Sequence, residues 1–253
     1  MRVLLTVSYD GTAYAGWQRQ KNGIAVQQVL EEALADALGR PVSITGASRT
    51  DAGVHALAQA FHFDTDANIP PDKYPFVLNT RLPEDIRVQA GMQVPDDFSA
   101  RFSTRGKVYT YRIHNAPHAS AIYRNISAHV PGNLDVALMR NAAQQLLGTH
   151  DFVAYMASGS QFKTTVRTIW SAEVERQDDE IIFVIRGNAF LYNMVRIIVG
   201  TLIEIGQGRR DPHCFTEAFE TKSRLSLGMT APARGLELTR LYYPWDGEEG
   251  KVP

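Results

Sequence analysis

The sequence holds a single cysteine, Cys214, in 253 residues. One thiol excludes an intramolecular disulfide framework and any structural zinc site built on several thiolates. It suits a reduced, cytoplasmic protein. Long apolar runs are missing too. The most hydrophobic stretch, Ala189 to Ile205, is interrupted by Asn193, Arg196 and Glu204, which marks a buried helix and not a membrane span. Ahead of Val3-Leu4-Leu5-Thr6-Val7 there is no charged leader, long apolar region or small-residue cleavage site, so no signal peptide is expected. Low-complexity blocks are absent as well, since the 12 prolines and 19 glycines are dispersed. Disorder is therefore expected only at the ends, above all in the acidic tail 246–253.

Net charge is nearly absent, at −1. That balance lacks the strongly basic footprint of many nucleic-acid binders, but the charges are unevenly placed. Phe98 to Leu134 contains no Asp or Glu, while Arg101, Arg105, Lys107, Arg112 and Arg124 lie within it, with His114, His118 and His129 among them. The acids gather at Glu175 to Glu180 and in the tail. One basic face suited to phosphate is expected on a near-neutral protein.

What is present is ordinary globular material, 44% apolar and 21% charged, long enough for one large domain or two smaller ones sharing a sheet. Val3 to Tyr9 alternates as a strand, and Asp10-Gly11-Thr12 reads as a turn. The mixed segment Tyr14 to Arg19 is expected to be partly exposed. Val26, Val29, Leu30, Ala33, Leu34, Ala37 and Leu38 recur at helical spacing, and Gly39-Arg40-Pro41 ends that helix. A strand-like run (41–47) and an alternating run (59–64) follow. The second half repeats this grammar: a strand over 107–115, a helix over 134–147 capped by Gly148, a hairpin around Asp178-Asp179, a buried helix over 190–205 and a last strand over 237–243. The pattern predicts an α+β fold: two related halves, 1–105 and 106–245, forming a mainly antiparallel mixed sheet with helices on one face.

Three groups carry candidate chemistry. Asp51 sits in Ser48-Arg49-Thr50-Asp51-Ala52-Gly53-Val54-His55-Ala56, a segment too polar and irregular for core. A carboxylate beside an arginine stays ionised and can act as nucleophile, base or electrostatic stabiliser; an ordinary turn aspartate near Gly53 has the same local sequence. Arg196 lies in the most hydrophobic helix, where a guanidinium needs a carboxylate or several carbonyls. Its neighbours at three and four residues are Tyr192, Asn193, Val199 and Gly200, so a partner is expected from elsewhere in the fold, with Asp51 the candidate; snorkelling to the surface is the other reading. In the strand Lys107-Val108-Tyr109-Thr110-Tyr111-Arg112, Lys107, Tyr109 and Tyr111 share a face that can stack a base beside a phosphate, unless one tyrosine is core. His55, His62 and Asp64 suggest a metal site only by residue type, as no metal-ligand spacing supports it.

Together with Tyr9-Asp10-Gly11-Thr12, Gly16-Trp17-Gln18, Asn79-Thr80-Arg81-Leu82-Pro83, Phe98-Ser99-Ala100-Arg101-Phe102, Gly148-Thr149-His150-Asp151-Phe152 and Asn188-Ala189-Phe190-Leu191, these motifs run in the order seen in one family. The chain resembles the tRNA pseudouridine synthase A family over nearly its whole length, with Ser48 where the family usually has glycine. The resemblance implies conversion of uridine to pseudouridine at positions 38, 39 and 40 of the tRNA anticodon stem-loop, without cofactor or metal, by a cytoplasmic homodimer. It implies that Asp51 is the nucleophile, Arg196 the arginine paired with it, and Tyr109 the tyrosine stacked on the target base, with Tyr111 in reserve. Arg49 would hold the base out of the helix. Arg101, Arg105, Lys107 and Arg124 would grip phosphate without reading sequence. An RNA-binding protein without catalysis, a metal-dependent hydrolase using His55, His62 and Asp64, and a synthase acting on another RNA are the rival readings.

Overall fold

The computed structural model describes residues 1–157 and 163–246. The chain is α+β and forms two compact units. In the first, β1 (Arg2–Tyr9), α1 (Val26–Leu38), β2 (Thr45–Gly46), β3 (His55–Asp64), α2 (Tyr74–Asn79) and β4 (Ile86–Val94) follow in order. β1 lies between β3 and β4, antiparallel to both, with Leu5 opposite Phe61 on one side and Gly91 on the other. Its residues alternate: Val3, Leu5 and Val7 on one face are fully buried, while Thr6 and Ser8 on the other are half-exposed. α1 buries Val26, Leu30, Ala33 and Leu34, one helical stripe, and stops where Gly39 turns left-handed at φ 68°. The strand-like run 41–47 is a strand only at Thr45–Gly46. α2 and β4 have no counterpart in the sequence reading.

The second unit, Gly106–Leu236, is built from β5 (Gly106–His114), β6 (Ala128–His129), α3 (Val136–Ala143), β7 (Gly148–Asp151), β8 (Val166–Gln177), β9 (Glu180–Gly187), α4 (Met194–Gly206) and α5 (Cys214–Thr221). Its strands run β5-β9-β8-β7, all antiparallel, and β6 adds two residues parallel to the end of β5. The β8–β9 hairpin turns at Asp178, which takes φ 51°, as a two-residue turn requires. Two helices are shorter than the sequence spacing predicts. The helix expected over 134–147 is α3 followed by a 3-10 turn at Gln144–Leu146; Asp135 caps it by accepting from Leu138 N–H, and Gly148 opens β7 instead of capping the helix. The helix expected from 190 begins only at Met194, because Asn193 before it is left-handed at φ 60° and cannot continue a helix toward the N-terminus. The Gly148-Thr149-His150-Asp151-Phe152 motif is structural: Phe152 is fully buried, and the His150 ring stacks on Phe219 at 4.4 Å.

The last strand, β10 (Leu236–Tyr242), returns to the first unit. Residues 237–246 group with Met1–Arg105, because Glu237 and Leu238 pair in parallel with His55 and Ala56 of β3. The sequence division at 105/106 assigns residues 237–245 to the second half; the long-range parallel pairing that moves them has no local signature. Tyr243 then donates its hydroxyl to Ala100 O at 2.9 Å, and the Phe98 ring meets Tyr243 and Trp245 at 5.4 and 5.3 Å. Of the tail expected to fray, 247–253 lies outside the described residues. Among the described residues no helix is long and apolar enough to cross a membrane.

Candidate active site

Asp51 is half-buried in the loop between β2 and β3. Its neighbours are fixed one by one. The fully buried Gln59 accepts from Ser48 N–H at 3.2 Å and donates to Ser48 O at 2.7 Å. The Tyr9 hydroxyl lies 2.7 Å from Thr50 Oγ1, and Trp17 N–H donates to Thr50 O at 3.0 Å. Val54 N–H donates to Asp51 O at 3.1 Å, closing a turn in which Gly53 takes φ 75°. Arg49 and Ala52 alone are exposed. A loop tied at Ser48, Thr50, Asp51 and Val54 holds its carboxylate with little freedom to lose on reaction. Ser48, at the family's glycine position, has no positive φ, so the loop needs no glycine there.

Two glycines of the first segment permit this arrangement. A Cβ on Gly11 would stand 2.0 Å from Val54 O, and one on Gly16, at φ 95°, 2.6 Å from Thr50 O. Backbone therefore packs directly on the aspartate loop at both points. The expectation of partial exposure for 14–19 fails at its aromatic residues. Trp17 is 3% exposed, its ring lying against Gly46, where a Cβ would come 2.3 Å from Nε1. Asp10 adds a further tie. Burial alone would push its carboxyl up, but the Thr12 hydroxyl and N–H, with His55 nearby, more than offset this and hold it below the usual range.

The basic turn after Phe98 is equally anchored. Arg101 and Arg105 are exposed, while the fully buried Ala100 between Ser99 and Arg101 donates its N–H to His62 Nδ1 at 3.1 Å. In the second unit, Tyr109 keeps 7% exposure and meets Phe190 edge-on at 5.2 Å. Lys107, two residues before it, is part-exposed. Tyr111 has no exposure at all. Its hydroxyl donates to Pro232 O at 2.7 Å, and burial pushes the phenol up against the pull of the Arg196 and Arg234 charges.

Arg196 is half-buried. The expectation that its own helix offers no partner is corrected: Nη1 donates to Asn193 Oδ1 at 2.9 Å, and Nε donates to Ala231 O at 2.8 Å. The left-handed backbone at Asn193 makes its side chain available to the first turn of α4. The carbonyl comes from segment 228–235, which runs against α4 where Gly200 leaves no room for a side chain; a Cβ there would be 1.8 Å from Met229 O.

The three residues of the metal reading are engaged structurally. Gly11 N lies 3.0 Å from His55 Nδ1. His62 accepts from Ala100, and burial followed by the Arg2 charge lowers its pKa. Asp64 takes two hydrogen bonds from Arg2, each 2.8 Å. Among the described residues no group of three or more His, Cys, Asp or Glu side chains could hold a metal ion.

A family model described as tRNA pseudouridine synthase matches residues 5–103 and 142–244. The chain belongs to the tRNA pseudouridine synthase family. It is 49% identical to the tRNA pseudouridine synthase A of Ruminiclostridium cellulolyticum over 243 residues, 96% of this chain and 99% of that protein. The corresponding protein of Acetivibrio thermocellus is 47% identical over 95% of this chain and 99% of its own length. A third relative, tRNA pseudouridine synthase A 2 of Clostridium tetani, is 47% identical over 95% and 98%. A chain of a solved Cbf5-Nop10-Gar1 complex is a distant likeness, with a TM-score of 0.42 and 11% identity over 93% of this chain and 48% of that one. Family membership makes the chain an isomerase acting on tRNA. The matched segments take in Arg49, Asp51, Arg101 and Arg196, whereas Arg105, Lys107, Tyr109 and Tyr111 lie in the interval between them. Sequence reasoning missed Gln59, Tyr9 and Asn193 as supports of this synthase's candidate residues. The one available signal was Gln59 itself, a polar residue between Ala58 and Ala60 in a buried strand.

Proposed function

We propose that this chain isomerises uridine to pseudouridine at positions 38, 39 and 40 of the tRNA anticodon stem-loop, with Asp51 as nucleophile. The observation that carries the reading is the Asp51 loop: a half-buried carboxylate on a loop tied at Ser48, Thr50 and Val54, beside the exposed Arg49. The reaction breaks an N-glycosidic bond and rejoins the freed uracil through carbon, so the attacking group must be ionised and held still while the fragment turns. Attack on the sugar carbon, attack on the uracil ring and abstraction of a sugar proton all meet that description.

Arg196 is, in this reading, the arginine that the family pairs with the nucleophile. Tyr109 stacks on the target base. The choice over Tyr111 rests on exposure, since Tyr111 is fully buried with its hydroxyl engaged by Pro232. Arg49 holds the uridine out of its stack, against an unpairing cost of roughly a few kcal/mol. Arg101, Arg105 and Lys107 take phosphates. The reading also carries a cytoplasmic homodimer that needs neither cofactor nor metal.

The test is tritium release from tRNA labelled at uracil C5, with and without excess chelator, for wild type and Asp51→Asn. Release by wild type alone, with the variant still binding tRNA, is expected. No release from either protein, with binding intact, would leave an RNA-binding protein; release that stops in chelator would restore a metal-dependent reading.

A further inference from the structure

Phe102 is 81% exposed, the most exposed aromatic side chain among the described residues. A solvated phenylalanine forgoes the burial that stabilises such a side chain, and this one is held outward by a rigid turn. Ser103 N–H donates to Ser99 O at 2.8 Å, and Thr104 Oγ1 donates to Ala100 O at 2.7 Å. Ala100 itself is pinned by His62 and by the Tyr243 hydroxyl, and Arg105 N–H donates to Tyr242 O at 2.7 Å. These bonds fix the backbone that carries the exposed ring. The Arg101 guanidinium lies over the ring at 5.2 Å from its centroid, and Arg105 is exposed three residues on.

We propose that Phe102 is a stacking platform for an unpaired base of the tRNA, outside the reaction centre, with Arg101 and Arg105 on the flanking phosphates. The proposal rests on the tRNA reading above. A guanidinium over one face of the ring leaves the other for a base, an arrangement that binds single-stranded nucleotides without reading sequence. Charge complementarity favours RNA over a protein partner, because the turn opens the interval from Phe98 to Leu134 that contains no acidic residue. The fixed backbone lowers the ordering cost of binding.

The experiment measures binding of unmodified tRNA transcript to the full chain at several salt concentrations, with wild type, Phe102→Ala, Phe102→Leu, Phe102→Tyr, Phe102→Trp and Arg101→Ala. Phe102→Ala and Phe102→Leu are expected to weaken binding about tenfold or more, with the salt dependence unchanged. Tyr and Trp should restore it to within about threefold. Arg101→Ala should instead reduce the salt slope by about one. In turnover, the loss from Phe102→Ala should appear in KM and not in the rate at saturating tRNA. Wild-type affinity in Phe102→Ala overturns the proposal, as does restoration by Leu, which would make the contact merely apolar. A change in sedimentation at unchanged RNA affinity also overturns it and gives the ring to a second copy of the chain. Tritium release is scored separately, so failure of the isomerase reading leaves the binding result to be judged alone.

Discussion

The side-chain amide of Gln59 grips the backbone of Ser48 at both its N–H and its carbonyl, at 3.2 and 2.7 Å, three residues before Asp51. Gln59 is fully buried, so no water can replace it. Gln59→Leu preserves bulk and leaves two buried backbone groups without this partner, at a cost of about 1–3 kcal/mol. Stability by urea unfolding should fall by that amount. Turnover should fall by more than tenfold with tRNA affinity close to wild type, because the loop is loosened and the phosphate contacts are untouched. Wild-type turnover in a measurably destabilised variant would show that Asp51 is positioned without this clamp.

Gly16 and Gly39 make a matched pair of left-handed glycines. At Gly39, φ 68°, an added Cβ meets nothing within 4 Å, while at Gly16 it meets Thr50 O at 2.6 Å. Gly39→Ala should therefore cost only the conformational penalty, about 1 kcal/mol, with turnover unchanged. Gly16→Ala carries that penalty and displaces the aspartate loop, so thermal stability and turnover should both drop further. Equal effects of the two substitutions on turnover would exclude transmission through Thr50.

Asn193 joins a backbone requirement to a side-chain one. Its φ of 60° suits glycine, whereas its Oδ1 accepts from Arg196. Asn193→Gly keeps the turn and removes the acceptor. Stability should stay within about 1 kcal/mol of wild type, while kcat falls and KM for tRNA holds. Asn193→Ala, which loses both features, should be less stable than Asn193→Gly. Full kcat in the glycine variant would show that Arg196 is oriented by Ala231 and its other contacts alone.

Glu204 predicts an acid-side stability loss. Its Oε1 accepts from Met229 N–H at 2.9 Å and its Oε2 from Arg210 at 2.8 Å. Burial alone would raise the carboxyl, but these two groups more than offset it, and its pKa lies below the ordinary 4.5. Between that depressed value and 4.5 the unfolded chain binds more protons than the native one, so stability rises with pH across the window. The contribution is present above 4.5 and lost as pH falls through the folded value. Glu204→Gln should be less stable than wild type at pH 6, with the gap closing on acidification below pH 4. Urea unfolding across that range measures it, and a pH-independent gap would assign the effect to packing.

Elements whose signal is periodic were legible. The stripe of α1 and its Gly39 stop are local, and so are the β8–β9 hairpin at Asp178 and the burial of α4. Asp51 and Arg196 stood out because a charge in the wrong setting is visible in one dimension. What holds them was not. Trp17 looked half-exposed because nothing nearby in sequence announces that Gly46 makes room for its ring. The support of Arg196 by Asn193 depends on one left-handed residue, and a helix pattern read through Asn193 hides it. The Tyr109/Tyr111 pair shares a strand face, and only packing separates a ring with residual exposure from one sealed against Pro232.

The return of β10 bears on synthesis. The first unit contains the aspartate loop, yet its sheet is completed by residues that emerge from the ribosome more than 130 positions after Arg105. Until Glu237 and Leu238 arrive, the β3 edge at His55 and Ala56 lacks its parallel neighbour. Tyr243, whose hydroxyl binds Ala100, is likewise missing from the turn that carries Phe102. Domains usually consolidate from the N-terminus during translation. Here the second unit can consolidate from its own continuous chain while the first waits, so the aspartate loop and the basic turn acquire their final supports together, at the end of synthesis.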